Sequence, residues 1–240
     1  MKNYSKYPDW DHFLNGISID CVIFGYHQKE LKILILEYKQ INTYALPGGF
    51  IKNDENLNEA AKRVLAERTG LKDIYLNQFH TFGDLSRHDP EPMKNLIKKS
   101  GMNFPDDHWL FQRFITVGYY ALVDFNKATP VPGPFSDRCE WYDVNDLPEL
   151  MQDHRLIVEK ALGELRDNID HKAVGLNLLD NVFTMGELKD LYETISGKKL
   201  NRTSFHRKMM KSGRLKRLGK KSTGKAHRSP YLYRFAGSEE

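Results

Sequence analysis

Cysteine is nearly absent from this chain. Only Cys21 and Cys139 occur, far apart and each inside an apolar, strand-like stretch. Two such thiols make neither a disulfide framework nor a zinc-ligand spacing, and they read as buried groups in a reducing compartment. Long apolar runs are missing too, since none approaches the roughly 20 residues that a membrane-spanning helix requires. The opening stretch from Met1 to Trp10 has no apolar core of the kind a secretory leader carries. Internal repeats and low-complexity tracts are also lacking, which excludes solenoid architectures. These absences lead us to expect a cytoplasmic protein with no membrane partner.

What is present fits a globular chain. Its 240 residues are 40% hydrophobic and 28% charged, enough for one large domain or two unequal ones. The net charge of +4 conceals a division. From Asn181 onward there are fifteen Lys/Arg against five Asp/Glu, which leaves the first 180 residues acidic. A strongly basic segment beside an acidic one implies a polyanionic partner for the former. A solvated tail would also be basic, but it would not need the regularly spaced apolar residues found here.

The pattern predicts strands at Ile17–Phe24 and Leu31–Tyr38, joined by a polar turn containing Gly25 and Gln28. The adjacent Gly48 and Gly49 mark unusual backbone. Leu57, Ala60, Ala61, Val64 and Leu65 recur at helical spacing from Asn56 to Thr69, with Gly70 placed to end the helix. Further strands are expected at Gln78–Gly83, Phe114–Asp124 and Cys139–Val144, and a helix at His154–Ile169. The segment His88–Gln112 carries Pro90, Pro92 and Pro105 and is long for a connection. It reads either as a functional lid or contact, with a short helix at Met93–Lys99, or as a neutral insertion.

Gly49, Glu55, Arg63, Leu65, Glu67, Gly70 and Leu71 fall in register with the pattern G-x5-E-x7-R-E-U-x-E-E-x-G-U, where U is a bulky aliphatic. The chain here resembles the Nudix family, which implies a mixed sheet between helices. In active Nudix hydrolases the glutamates of R-E-U-x-E-E gather magnesium, an ion that needs hard oxygen ligands. Positions 64, 67 and 68 lie three or four residues apart on a helix and share a face. They are Val64, Glu67 and Arg68. An aliphatic group and a cation replace two carboxylates, so no catalytic residue, metal or cofactor is assigned. A guanidinium fork can instead hold an anionic or hydroxyl-rich ligand. Arg68 could equally pair with Glu67, Asp54 or Glu55. Arg63, Glu67 and Arg68 are the candidate effector-binding residues.

In the basic segment, Thr184 with Glu187 forms a capping-box pattern before Leu188, Leu191, Tyr192 and Ile195. Gly197 ends that helix, and a second one begins at Asn201 or Thr203 and runs to about Ser212, burying Phe205 and Met209. A strand at Arg214–Leu218, a basic turn over Gly219–Arg228 and a strand at Tyr231–Phe235 make a wing. Arg202, Thr203, Ser204, His206, Arg207, Lys208 and Lys211 on the helix are DNA-contact candidates, with Lys220, Lys221, Lys225 and Arg228 on the wing.

The chain as a whole resembles the Nudix-related transcriptional regulators of the NrtR and AraR types. Segments carrying the likeness include Arg63–Leu71, Gly175–Leu179, Phe183-Thr184, Leu191–Glu193 and Phe205–Lys208. The resemblance implies a Nudix-like sensor over residues 1–170, a linker over 171–180 and a winged helix-turn-helix domain over 181–240. It also implies a homodimer on a palindromic double-stranded operator, controlled by an ADP-ribose-like nucleotide or a simple sugar such as arabinose. Competing readings are an active Nudix hydrolase with a nucleic-acid-binding appendage and a non-specific RNA binder. The segment His88–Gln112 departs from the shorter loop of such regulators.

Overall fold

The computed structural model describes residues 10–72, 74–170, 178–221 and 229–236. The expected linker therefore lies mostly outside the described residues, as do Lys225 and Arg228 of the wing.

Strands β1 (Phe13–His27) and β2 (Glu30–Tyr38) form a long hairpin that begins a seven-stranded sheet. β3 (Thr43–Ala45) and β4 (Gly48–Lys52) follow, then helix α1 (Leu57–Thr69) and β5 (Leu76–Phe82). Helix α2 (Glu91–Lys99), β6 (Ile115–Val123), β7 (Arg138–Asp143) and helix α3 (His154–Asp167) complete the first unit. The sheet is mixed: β6 runs parallel to β1, pairing Ile17–Gly25 with Ile115–Val123, while the other pairings are antiparallel.

Alternation along β1 divides the core, because successive side chains point to opposite faces. Ile19, Cys21 and Ile23 face α1 with Leu34, Leu36, Val64 and Leu65, whereas Val22 and Phe24 face α3 with Ile157, Val158, Ala161 and Leu165. This is the expected mixed sheet between helices. Both cysteines are buried, and burial pushes the Cys139 thiol up to about 11.

The turn between β1 and β2 differs from expectation. Gly25 lies inside β1, opposite Lys32, and Trp141 packs against the space a Cβ would need. The reversal is made by Gln28 and Lys29, both left-handed at φ +50° and +66°. Neither residue announces a primed hairpin turn as Asn-Gly would.

The segment 88–112 is folded. Its Ile97, Leu110 and Phe111 are buried among Trp10, Met93, Phe104 and Phe50 of β4. The chain entering it is pinned by Arg87, whose Nε and Nη2 donate to the Asp153 carboxylate at 3.0 and 3.1 Å and whose Nη1 donates to the Phe114 carbonyl at 2.8 Å.

The second unit comprises β8 (Phe183–Thr184), α4 (Met185–Ser196), α5 (Arg202–Lys211), β9 (Leu215–Lys220) and β10 (Tyr231–Phe235). The strands form a three-stranded sheet in the order β8-β10-β9. β8 is too short to leave a periodic signature in sequence. Asn201 caps α5, with its side chain accepting from the Ser204 amide, so the helix begins at Arg202.

Candidate functional site

The Nudix-like box is built by three local devices. Gly48 lets β4 press against β1, where a Cβ would lie 2.5 Å from Asp20 Oδ1 and 2.6 Å from the Ile19 carbonyl, and Gly49 leaves room for Val64 of α1. Asn56 then caps α1 in a reciprocal capping box with Glu59. Gly70 closes the helix at φ +70°, in the left-handed region.

Arg63 joins these pieces. It donates from Nη2 and Nε to Glu55 at 2.6 and 3.0 Å, and from Nη2 to the Phe50 carbonyl at 2.9 Å. Its Nη1 stands 3.4 Å from Glu67 Oε1. The Arg63 hydrogen bonds hold the Glu55 carboxyl below the usual range, against the opposing effect of burial.

The three positions expected to share a face send their side chains apart. Val64 is core, 3.1 Å from where a Cβ on Gly49 would stand. Glu67 remains open to solvent. Arg68 turns into a crease between the end of α1 and the 129–136 loop, where Nη1 donates to the Pro132 carbonyl at 3.3 Å. Glu67 Oε2 lies 3.8 Å from Arg68, a loose pairing, while Arg68 Nε is buried without a hydrogen-bond partner. Burial pushes neighbouring Tyr38 up to about 12, with the Arg68 charge acting in the opposite direction.

These residues do not fit magnesium. Glu55 is engaged by Arg63 and the Lys52 amide, Glu59 by the helix cap, Val64 offers no ligand, and Arg68 brings positive charge. The box is instead walled on one side by aromatic groups. Phe135, on the loop holding Arg68, stacks on Trp10 at 5.8 Å, and Trp10 meets Trp109 edge-on at 6.2 Å. Trp10, Phe13, Asn53 and Trp109 border a cleft of about 370 Å³. No sequence period signalled this grouping, because it joins the amino-terminal stretch to the 88–112 segment.

In the basic unit, the Thr184–Glu187 capping box forms as expected and Gly197 ends α4 at φ +67°. Glu193 sets the turn: it accepts from the Leu200 amide at 2.6 Å and pairs with Lys189 at 2.8 Å. Phe205 meets Tyr192 edge-on at 5.1 Å, fixing α5 across α4. With Phe205 and Met209 inward, the helical repeat puts Thr203, Arg207, Met210 and Lys211 outward. Arg202, Ser204 and His206 are also exposed, His206 with Nε2 3.4 Å from Tyr233 Oη. Lys208 lies on a flank and pairs with Asp170 at 2.6 Å.

On the wing, Lys220 and Lys221 are exposed. Arg217 stacks over the Tyr231 ring at 3.6 Å, a contact sequence reasoning missed, although cations facing aromatics across the hairpin were its available signal.

Comparison with known proteins agrees with this two-part layout. A NUDIX domain model matches residues 14–161, and a model of the NrtR DNA-binding winged helix domain matches residues 175–235. The chain belongs to the NrtR family of Nudix-related transcription regulators. The ADPR responsive transcriptional repressor NtrR of Acinetobacter baylyi is 32% identical over 97% of this chain and 86% of its own length. The crystal structure of Shewanella oneidensis NrtR superposes with a TM-score of 0.71 at 27% identity, covering 92% of this chain and 94% of that one. The same protein complexed with a 27mer DNA gives the same score and identity, covering 92% and 93%. Within the family, this chain is a DNA-binding transcription regulator made of a Nudix domain and a winged helix. Among the described residues, no helix is long and apolar enough to cross a membrane.

Proposed function

We propose that this chain is a cytoplasmic, dimeric repressor whose affinity for a palindromic operator is set by an ADP-ribose-type nucleotide. The observation that carries the reading is the pairing, in one chain, of a Nudix box without its magnesium carboxylates and a basic winged helix. Arg63, Glu67 and Arg68 are the effector-binding residues of this proposal. Two features support it: Arg68 keeps a guanidinium nitrogen without a hydrogen-bond partner, and Trp10, Phe13 and Trp109 border a cleft next to Asn53. Diphosphate oxygens suit a guanidinium fork, and a nucleobase suits aromatic walls. The repressor from Acinetobacter named for ADPR responsiveness supports this nucleotide class over a simple sugar. Contacts from α5 and the wing would supply base readout and backbone anchoring respectively.

Control of this kind requires the effector to bind the DNA-competent and incompetent states unequally. The test is selection of bound duplexes from a random DNA pool, followed by titration of ADP-ribose and arabinose against the recovered duplex. The reading expects one palindromic motif and an affinity that responds to ADP-ribose alone. Magnesium-dependent release of mononucleotide from ADP-ribose, with no effect on DNA binding, would establish the hydrolase reading instead.

A further inference from the structure

Asp170 lies just beyond α3, at the end of the sensor unit. Its Oδ2 is 2.6 Å from Lys208 Nζ of α5, and its main-chain carbonyl accepts from the Arg214 guanidinium ahead of β9. Its Oδ1 is buried without a hydrogen-bond partner. One residue earlier, the Ile169 carbonyl accepts from Tyr192 Oη of α4 at 3.2 Å. Burial pushes Tyr192 up to about 12, so the phenol remains a donor throughout the neutral range. Three side chains of the basic unit, Tyr192, Lys208 and Arg214, thus converge on two consecutive residues of the sensor.

The placement of Lys208 gives this convergence a consequence. A lysine on the shoulder of a helix lying in the major groove faces the phosphates that line the groove. Its ammonium is a point charge that can serve a phosphate or the Asp170 carboxylate. At 2.6 Å the Asp170 carboxylate already occupies the ammonium that a phosphate would otherwise take.

We propose that Asp170 is an internal rival of DNA phosphate for Lys208, through which the sensor sets the strength of DNA binding. Movement of the α3 terminus toward α5 holds the lysine, and movement away releases it to the backbone. The coupling is reciprocal: DNA that captures Lys208 favours the sensor state in which the α3 terminus has withdrawn. This rests on the DNA-binding reading above but not on the identity of the effector.

The test uses the full-length chain, a mixed-sequence duplex and fluorescence anisotropy over a series of salt concentrations. Asp170→Asn should bind about three- to tenfold tighter, with the slope of log K against log salt steeper by about 0.9, as one added phosphate contact requires. Asp170→Glu, which keeps the anion, should stay near wild type and controls for folding. In a Lys208→Met background, Asp170→Asn should change neither affinity nor slope. Equal affinity and slope for wild type and Asp170→Asn would overturn the proposal. So would an equal gain in the Lys208→Met background, which would reflect general charge removal. If neither wild type nor any variant bound duplex DNA, the DNA-binding reading itself would fall, and this inference with it.

Discussion

Arg63 and Glu55 form a bidentate ion pair eight residues apart, and the same guanidinium holds the Phe50 carbonyl of β4. In this chain the arginine and first glutamate of the Nudix pattern act as a clasp between the glycine loop and α1. Removing one partner leaves the other poorly solvated. Arg63→Met should destabilise the protein by about 1–3 kcal/mol, the cost of an abandoned partly buried charge. Chemical denaturation followed by circular dichroism would measure it, and an unchanged midpoint would show the clasp to be incidental.

The same pair gives a pH dependence. Because the folded Glu55 carboxyl is held low, its contribution is fully present above the ordinary glutamate value of about 4.3 and is lost as pH falls through the folded value. The wild type should therefore lose stability relative to Glu55→Gln on going from pH 5 toward pH 3, about one proton's worth. Parallel curves for the two proteins over that interval would remove Glu55 from the acid response.

Gly48 is required for contact, not for an unusual φ. A Cβ there would collide with the Ile19 carbonyl of the paired strand, and backbone cannot rotate aside as a flexible side chain can. Gly48→Ala should cost about 1–3 kcal/mol through forced displacement of β4. Gly163→Ala, in α3 with open space around it, should instead be neutral or slightly stabilising. Thermal unfolding of the two variants tests the contrast.

Neither thiol should react in the native protein. Cys21 and Cys139 are buried, with burial pushing both thiols up, so the thiolate is scarce at pH 8. Ellman's reagent should report no rapidly reacting group until denaturant is added, and two afterward. A fast native reaction would mean that a face of the sheet opens readily.

Arg207 occupies the middle of the outward face of α5. Replacing it with alanine should weaken binding to the selected operator about tenfold while barely changing binding to mixed-sequence duplex, the mark of base readout. Equal loss on both duplexes, with a shallower salt slope, would make it a phosphate contact.

Much of this was legible in sequence where the determinants are local. The caps at Asn56 and Thr184, the stop glycines 70 and 197 and the apolar stripe of α1 depend on residues within a turn or two. The missed features depend on distant partners. Arg68 is oriented by Pro132, 64 residues away, and Lys208 is held by Asp170, 38 residues away. Neither separation leaves a period to read. The aromatic wall joins Trp10 to Trp109 of the 88–112 segment and to Phe135 of the 129–136 loop, partners about 100 and 125 residues away. The hairpin turn does contain Gln28, but it excludes Gly25, because Gln28 and Lys29 adopt left-handed backbone without the usual residues for it.

The buried residues facing α3 continue without a break into the winged helix. Ile157, Leu165 and Ile169 belong to the same apolar body as Leu188, Leu191, Ile195 and Phe205. Two segments that look like separable modules therefore share one interior. Producing either unit without the other would expose that packing to water, and transplanting this winged helix onto another sensor would require α3 to travel with it.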